Sequence, residues 1–374
     1  MFFEGAISAD SHIVEPPNCY VDHIEPKFRD IAPRIVRTES RGDAFVMEGM
    51  KRVVPIALLD GAGRSVSELK NFARTATFED CRPSGHDPRY RVADQQRDGL
   101  AGEVLYASVG MAICTHPEPE YKSACMVAYN RWLEGFCAEA PSRLFGLGMS
   151  AVTSIDSAIE DFKRIKEQGF VGVMMPGNPV YEDYDHPDYD ALWACATDLS
   201  LPVCFHILTA KEGDMRAAFK PTRGHRINGF MQIIRAVQDV VGVMVLGGVF
   251  ERFPELKLVC AEGDAGWMPH YMYRMDHAAF NNAEDGVIKG LSKVPSAYLK
   301  SNVFMTFQDD WVAFKTRDLM ASSQLLWAND FPHTDSTWPN SQSLLAEHAA
   351  DLSPEETRAI LRDNVRGVFD LPVD

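Results

Sequence analysis

The chain has 374 residues, of which 46% are hydrophobic and 24% are charged, a composition typical of a globular protein with one large domain or two smaller ones. Its formal net charge of −16 opposes approach to nucleic-acid phosphates or to an anionic membrane surface. General binding to either is therefore excluded, and we expect small molecules or other proteins as partners.

The predicted elements begin with a short apolar strand that is followed by a segment of irregular composition. The strand is "AISAD" at 6–10, and residues 18–95 are rich in proline, arginine and glycine, with a hairpin pattern at 44–54. We interpret 18–95 as an insertion, in the form of a lid or arm, between the first strand and the rest of the fold.

From about residue 100, apolar strand patterns alternate with helical patterns. The most clearly delimited helix covers 153–169, because Thr153 and Ser154 can cap its start and Gly169 ends it. Another helix is predicted over 120–139. Seven further strands are predicted, over 102–108, 144–150, 171–176, 201–206, 256–262, 301–307 and 324–330.

Eight strands separated by helices predict an α/β fold of the (β/α)8 TIM-like barrel type. A doubly wound parallel sheet is the alternative, but the GxGxxG turn that such a sheet usually carries after its first strand is absent. We therefore expect a single domain over 1–374, with 18–95 lying over the mouth of the barrel.

The sequence shows no export signal and no membrane span. The start, "MFFEGAISAD", lacks the basic residues and the apolar run of a signal peptide. The most apolar later stretch, 240–250, is about half as long as the roughly 20 residues that cross a bilayer. The eight cysteines form no CxxC pair, so we expect buried, reduced thiols in a cytoplasmic protein.

Side chains that bind metals or transfer protons follow four of the eight predicted strands. The first strand leads into Asp10 and His12, the fifth ends in His206, the sixth in Glu262 and the eighth in Asp330. The carboxyl ends of barrel strands converge on one face, and residues two apart on a strand point the same way. Asp10, His12, His206 and Asp330 thus predict a mixed nitrogen and oxygen site that suits zinc, iron or manganese better than calcium.

Four longer motifs resemble those of one enzyme family. They are "ADSHIVEPP", "LPVCFH", "GGVFERFPELKLVCAEGDAGWMPHYMYRMD" and "LLWANDFPHTDSTWP", which are spread over nearly the whole chain. The sequence resembles the amidohydrolase superfamily and, within it, the amidohydrolase-related group of aminocarboxymuconate-semialdehyde decarboxylase and γ-resorcylate decarboxylase.

The resemblance implies a metal-dependent enzyme that hydrolyses small molecules or removes carboxylate groups from them. It implies that Asp10, His12, His206 and Asp330 hold the ion and that Asp330 also shuttles a proton. Zinc is the divalent ion that we expect first, with iron or manganese, and a second ion, as the alternative.

Three features depart from the family pattern. Asp10 replaces the His or Glu that many relatives carry two residues before His12, Glu262 stands where decarboxylating relatives carry a histidine, and His270 stands where we expect tyrosine or an apolar residue. As ligands or catalytic groups, Glu262 and His270 would complete three carboxylates and three imidazoles, enough for two bridged ions. Otherwise Glu262 pairs with an arginine such as Arg274, and His270 packs on a helix.

Several other residues are candidates for supporting roles around this site. We expect His333 to orient Asp330 through a hydrogen bond from outside the ligand set. Glu15 either supports the loop after the first strand from a similar position or contacts the ion. The candidates for binding substrate are His225, Arg223 and Trp338.

Three functional hypotheses follow. The first is a metal-dependent hydrolase or carboxy-lyase that acts on a small substrate with a carbonyl or carboxylate group. The second is a dinuclear iron or manganese oxygenase that hydroxylates a small substrate, and the third is a noncatalytic barrel subunit that partners an active paralogue. Association as a homo-oligomer, or as a hetero-oligomer with a paralogue, is expected in each case. The absence of GxSxG and GxxxxGK[ST] excludes serine-elbow catalysis and nucleotide hydrolysis.

Overall fold

The computed structural model describes residues 2–209, 228–283 and 288–373. The strands of these residues are β1 (Ala6–His12), β2 (Arg34–Arg37), β3 (Asp43–Val46), β4 (Val54–Pro55), β5 (Leu100–Tyr106), β6 (Leu144–Met149), β7 (Gly172–Met175), β8 (Val203–His206), β9 (Leu258–Ala261), β10 (Val303–Phe307) and β11 (Leu325–Trp327). β1 and β5 to β11 form one sheet in chain order, and their pairs are all parallel.

Backbone hydrogen bonds also join the two ends of this sheet. The N–H of Asp330, just after β11, donates to the carbonyl of Asp10 over 3.0 Å, and the N–H of His12 donates to the carbonyl of Phe331 over 2.7 Å. The chain therefore forms an eight-stranded barrel, and the predicted (β/α)8 fold is confirmed. The strands are buried almost throughout, as expected where helices cover a parallel sheet.

The described residues also form α-helices, in the following order along the chain. They are α1 (Ile56–Leu59), α2 (Val66–Thr75), α3 (Pro88–Arg97), α4 (Val109–Ile113), α5 (Pro119–Ala138), α6 (Ile155–Glu167), α7 (Asp190–Asp198), α8 (Asn228–Leu246), α9 (Val249–Arg252), α10 (Met268–Asn282), α11 (Pro295–Asn302), α12 (Trp311–Thr316), α13 (Ser341–His348), α14 (Pro354–Arg358) and α15 (Asn364–Phe369). The predicted helices at 120–139 and 153–169 correspond to α5 and α6, and Ser154 caps α6 by accepting from the N–H of Ser157. Within the described ranges, no helix combines the length and the apolar character needed to cross a membrane.

The segment between β1 and β5 contains a small sheet of its own. β3 and β4 pair antiparallel, which is the predicted hairpin, and β2 pairs with β3 as a third strand that the sequence pattern did not reveal. β2 carries exposed arginines at both ends, so it lacks the alternation of buried and exposed residues that identifies a strand. The role of 18–95 as a lid stays a prediction.

A buried ion pair contacts the end of the first strand and the segment after the last strand. Arg91 of α3 is fully buried and contacts Glu103 of β5, with 2.6 Å between Nε and Oε2. The same guanidinium donates to the carbonyl oxygens of His12 at 2.8 Å and Phe331 at 3.2 Å. Arg91 thus ties together the two chain segments that close the barrel.

We predict that Arg91→Ala lowers the free energy of unfolding by about 3–5 kcal/mol, because it leaves the Glu103 carboxylate buried without its partner. The shift in the denaturation midpoint measures the effect. Arg89→Ala is the matched control on the same helix, since Arg89 and Asp87 form an ion pair at the surface that contributes little. Equal midpoints for the two variants would contradict this role of Arg91.

Candidate metal centre

The first strand presents two side chains at the mouth of the barrel. Asp10 and His12 are buried, and His12 Nε2 lies 3.4 Å from Asp10 Oδ1. They occupy positions two apart on a strand, where side chains point to the same side. The structure therefore brings together the pair that the sequence analysis proposed.

His206, at the end of β8, faces this pair from across the barrel. Its Nδ1 lies 2.9 Å from the carbonyl oxygen of Ile207, and because a carbonyl can only accept, Nδ1 carries the hydrogen. In the neutral ring its Nε2 is then an acceptor, 3.2 Å from Nε2 of His12 and 3.6 Å from Oδ1 of Asp10. A hydrogen bond to Nδ1 that leaves Nε2 free is the usual arrangement of a metal-binding histidine.

Two carboxylates complete the cluster from strained backbone positions. Glu262 after β9 and Asp330 after β11 have φ of +54° and +53°, the left-handed region that residues other than glycine rarely adopt. Glu262 Oε2 lies 3.2 Å from His206 Nε2, and Asp330 Oδ1 lies 3.5 Å from His12 Nε2. Such strain often marks functional sites, and here it accompanies two carboxylates that face the cluster.

The donor set fits a divalent cation. Asp10 Oδ1 and both carboxyl oxygens of Asp330 are buried without a hydrogen-bond partner among the described residues. Burial, together with the neighbouring Asp330, raises the pKa of Glu262 well above its ordinary value, and burial with Asp10 does the same to the pKa of Asp330. Unpaired carboxyl oxygens crowded in this way are stabilised by a bound cation.

The pKa values of His206 and His12 are shifted in opposite directions. Burial lowers the pKa of His206, but the nearby Asp10 outweighs burial and raises that pKa to about 9. Burial and the neighbouring His333 hold the pKa of His12 well below its ordinary value. Burial alone would raise the pKa of Asp10, but His206 and His12 lower it overall.

Thr306 is a supporting residue that the sequence analysis missed. Its hydroxyl on β10 donates to Asp10 Oδ2 over 2.8 Å and accepts from the N–H of Glu262 over 2.7 Å. It therefore occupies one oxygen of Asp10 and leaves Oδ1 facing the histidines. A threonine within an apolar strand carries little signal in sequence, because β-branched residues are common in strands.

His333 and Glu15 lie next to the cluster and are connected to each other through Ser108. His333 Nδ1 lies 3.0 Å from Asp330 Oδ1, its Nε2 lies 2.8 Å from the Ser108 hydroxyl, and its ring stacks on His12. Glu15 is fully buried and accepts from the backbone N–H groups of Ser108 and Val109. Burial raises the pKa of Glu15 to about 7 against the lowering effect of those hydrogen bonds. Glu15 is thus connected to Asp330 through two intervening residues, Ser108 and His333, and does not lie beside it.

Two of the proposed residues lie elsewhere. His270 is exposed near the start of α10, where its ring neighbours Tyr273, because the helix turns its side chain to the outside. Trp338 is buried against Phe331 and Ala62, and its Nε1 donates to the carbonyl of Asp94. The expectations that His270 is a ligand and that Trp338 lines the substrate site are therefore corrected. His225 and Arg223 lie outside the described residues.

A cavity of about 270 Å³ opens above the cluster. Its wall is mainly apolar, with Glu262, Asp330 and His333 at one end and Arg52 and Asp335 among its few other charged groups. The lining is completed by Val54, Leu58, Leu59, Ser108, Met111, Ala112, Ile207, Leu208, Ile233 and Thr334. An apolar wall with a few convergent polar groups is typical of a small-molecule site.

Comparisons with known proteins agree with this architecture. The family model "Amidohydrolase" matches residues 80–371. A 2-amino-3-carboxymuconate-6-semialdehyde decarboxylase of Dictyostelium discoideum is 23% identical over 250 residues, which are 66% of this chain and 67% of that protein.

Two solved structures share the fold. An amidohydrolase from Mycobacterium avium subsp. paratuberculosis K-10 has a TM-score of 0.80 at 18% identity and covers 99% of this chain and 100% of its own. The second is a 5-carboxyvanillate decarboxylase from Novosphingobium aromaticivorans with bound manganese and 3-methoxy-4-hydroxy-5-nitrobenzoic acid. It has a TM-score of 0.69 at 17% identity, and the match covers 98% of this chain and 97% of the decarboxylase chain.

The chain belongs to the amidohydrolase family, since the family model covers most of its length. The resemblance noted in the sequence is confirmed, and so is the enzyme class, a metal-dependent member of this superfamily that acts on small substrates. The candidate ligand cluster supports a divalent metal as the cofactor.

We predict that His12→Ala and His206→Ala each lose most of the bound metal, because each removes an imidazole from the centre of the cluster. His270→Ala, a histidine on the exposed face of α10, is the control and keeps its metal. Elemental analysis of the purified proteins measures the metal content per chain. Full retention in both cluster variants would contradict the assignment.

Thr306→Val is predicted to weaken metal binding roughly 10–100-fold, because it frees the second oxygen of Asp10 and removes an acceptor from the N–H of Glu262. Competition with a chelator measures the metal affinity. Thr306→Ser keeps the hydroxyl and should bind metal as the wild type does. If Val and Ser variants release metal equally, Thr306 has no part in orienting Asp10.

Proposed function

We propose that the protein is a metal-dependent carboxy-lyase that removes carbon dioxide from a small, compact carboxylate. The observation that carries this proposal is the mainly apolar cavity whose lining includes Glu262 and Asp330 of the candidate ligand cluster. The relative from Dictyostelium discoideum and the neighbour from Novosphingobium aromaticivorans are both decarboxylases by name.

The cavity suggests the size and the chemistry of the substrate. A volume of about 270 Å³ holds one ring with a few substituents, and it lies near the lower end of the range for ligand pockets. Val54, Leu58 and Leu59, with Met111 and Ile207 among the other lining residues, offer apolar surface for that ring. The guanidinium of Arg52 is the cationic group in the described lining, and it suits a carboxylate or phenolate oxygen.

Asp10, His12, His206, Glu262 and Asp330 are the residues that would hold the ion. A divalent ion bound there would supply Lewis-acid chemistry, by attracting substrate oxygens and stabilising negative charge. Zinc, the ion expected from the sequence, and manganese, the ion in the 5-carboxyvanillate decarboxylase, both suit a set of carboxylates and imidazoles.

Asp330 is the group we propose for proton transfer. When the carbon–carbon bond to the carboxylate breaks, carbon dioxide leaves and the bonding electron pair stays on the substrate carbon, which then takes up a proton. Asp330 lies in the cavity wall beside His333, so its carboxyl group can deliver that proton. The apolar wall limits water at the same carbon.

Hydrolysis is the second candidate, and Glu262 is the observation that favours it. Glu262 replaces the histidine that the sequence analysis expected in decarboxylating relatives, and it lies 3.2 Å from His206 Nε2. A carboxylate there can act as a general base toward water. Release of carbon dioxide separates the two reactions.

We predict that single-ring carboxylic acids release carbon dioxide in the presence of the metal-loaded protein, and that chelation abolishes the release. Addition of Mn²⁺ or Zn²⁺ to the chelated protein should restore it. The measurement is carbon dioxide evolution together with mass spectrometry of the product. A product that gains water and keeps its carboxylate would overturn the carboxy-lyase proposal in favour of hydrolysis.

A second prediction concerns substrate binding. Arg52→Gln should raise KM at least tenfold for the carboxylic acid that the enzyme turns over, and it should change kcat less. The reason is that Arg52 is proposed to bind a substrate oxygen and not to act on the bond that breaks. Arg34→Gln, an exposed arginine on β2 of the same segment, is the control. Equal kinetic constants for the two variants would exclude Arg52 from the substrate site.

A further inference from the structure

The candidate metal centre has two overlapping halves. Asp10, His12 and His206 form one group of candidate ligand atoms, and His12, Glu262, Asp330 and His333 form another. Within each group the atoms lie within 4.8 Å of one another. Together they include three carboxylates and three imidazoles, which is more than the four ligands of a typical zinc site. Glu262 Oε2 faces both halves, at 3.2 Å from His206 Nε2 and 3.9 Å from His12 Nε2.

The hydrogen bonds of Ser108 fix which nitrogen of His333 carries a hydrogen. The Ser108 hydroxyl lies 2.6 Å from the carbonyl oxygen of Ile13, which can only accept, so the single hydroxyl hydrogen points there. Ser108 Oγ must therefore accept from Nε2 of His333 at 2.8 Å. In the neutral ring Nδ1 is then left with a lone pair.

This lone pair faces the carboxyl group of Asp330. His333 Nδ1 lies 3.0 Å from Asp330 Oδ1, and that oxygen has no hydrogen-bond partner among the described residues. An imidazole lone pair and a carboxylate oxygen at this distance repel each other unless a proton or a metal cation lies between or beside them. Glu262 contributes another carboxylate to the same group.

We infer that His333 Nδ1, Asp330 and Glu262 form a second divalent-cation subsite next to the ion held by Asp10, His12 and His206. This inference rests on the proposed metal centre and extends it. His333 takes the place of the third imidazole that the sequence analysis assigned to His270. Glu262 lies between the two halves, in the position of a bridging carboxylate.

Glu15 and Ser108 keep His333 in position for this role. Glu15 accepts from the N–H of Ser108 over 3.0 Å and of Val109 over 2.8 Å, which holds the start of α4. The ring of His333 stacks on His12 with 3.8 Å between the ring centres. The orientation of His333 is therefore set by His12 and by Ser108, whose backbone Glu15 anchors.

The test is a titration of the metal-free full chain with Mn²⁺, in which electron paramagnetic resonance counts the ions left free. The wild type should bind two equivalents, and His333→Gln should bind one. His270→Gln, outside the cluster, is the control and should bind two. Ser108→Ala should lower the affinity for the second Mn²⁺ ion roughly 10–100-fold, whereas Ser108→Thr, which keeps the hydroxyl, should leave that affinity unchanged.

The outcomes separate this inference from the proposed function. One equivalent in the wild type overturns the second subsite and leaves a single-ion centre, with a proton shared by His333 and Asp330 instead of a cation. Two equivalents in both the wild type and His333→Gln also overturn it, because the second ion then lies elsewhere. No bound Mn²⁺ in the wild type contradicts the whole metal centre, whereas two bound ions without carbon dioxide release contradict only the carboxy-lyase proposal.

Discussion

The crowding of three carboxyl groups at the mouth of the barrel is the constraint on which the site depends. Asp10, Glu262 and Asp330 are held close to one another and to His12 and His206, largely out of solvent. Carboxylates in such a place repel each other, and desolvation penalises each charge. A bound divalent cation offsets both costs at once. An ion bound at this cluster would therefore stabilise the folded protein as well as supply its chemistry.

The barrel maintains this unfavourable arrangement through contacts placed behind the site. Arg91 is paired with Glu103 and donates to the carbonyls of His12 and Phe331, so separation of these two segments breaks a hydrogen bond from a buried, ion-paired guanidinium. Thr306 links Asp10 to the backbone of Glu262. The left-handed backbone at Glu262 and Asp330 is tolerated because these neighbours fix the chain on both sides.

The fold could be predicted from the sequence because the same pattern, an apolar strand followed by a helix, is repeated along the chain. Eight apolar strands alternate with helices, and a single uncertain strand, such as 301–307, is supported by its position in the series. The core of the site could be predicted for a related reason. His206 and Asp330 end predicted strands, and the barrel geometry requires strand ends to meet on one face.

The remaining features depend on side-chain directions that local sequence does not encode. His270 lies eight residues beyond Glu262, and only the start and rotation of α10 decide that it faces outward. Ser108 and Thr306 look like ordinary strand-end and strand residues, and their roles arise from partners that are distant in the chain, at 225 residues for Ser108 and His333 and at 44 and 296 residues for Thr306 with Glu262 and Asp10. Trp338 lies eight residues after Asp330, but it packs into a small apolar cluster with Phe331 and Ala62.

The most direct test of metal binding at this cluster is anomalous X-ray diffraction from crystals of the protein, recorded at the absorption edges of manganese and zinc. We expect an anomalous peak at the mouth of the barrel, about 2.0–2.2 Å from the nearest nitrogen and oxygen atoms of His12, His206 and Asp10. Clear density for these side chains with no anomalous peak between them, in crystals grown with either metal, would contradict it.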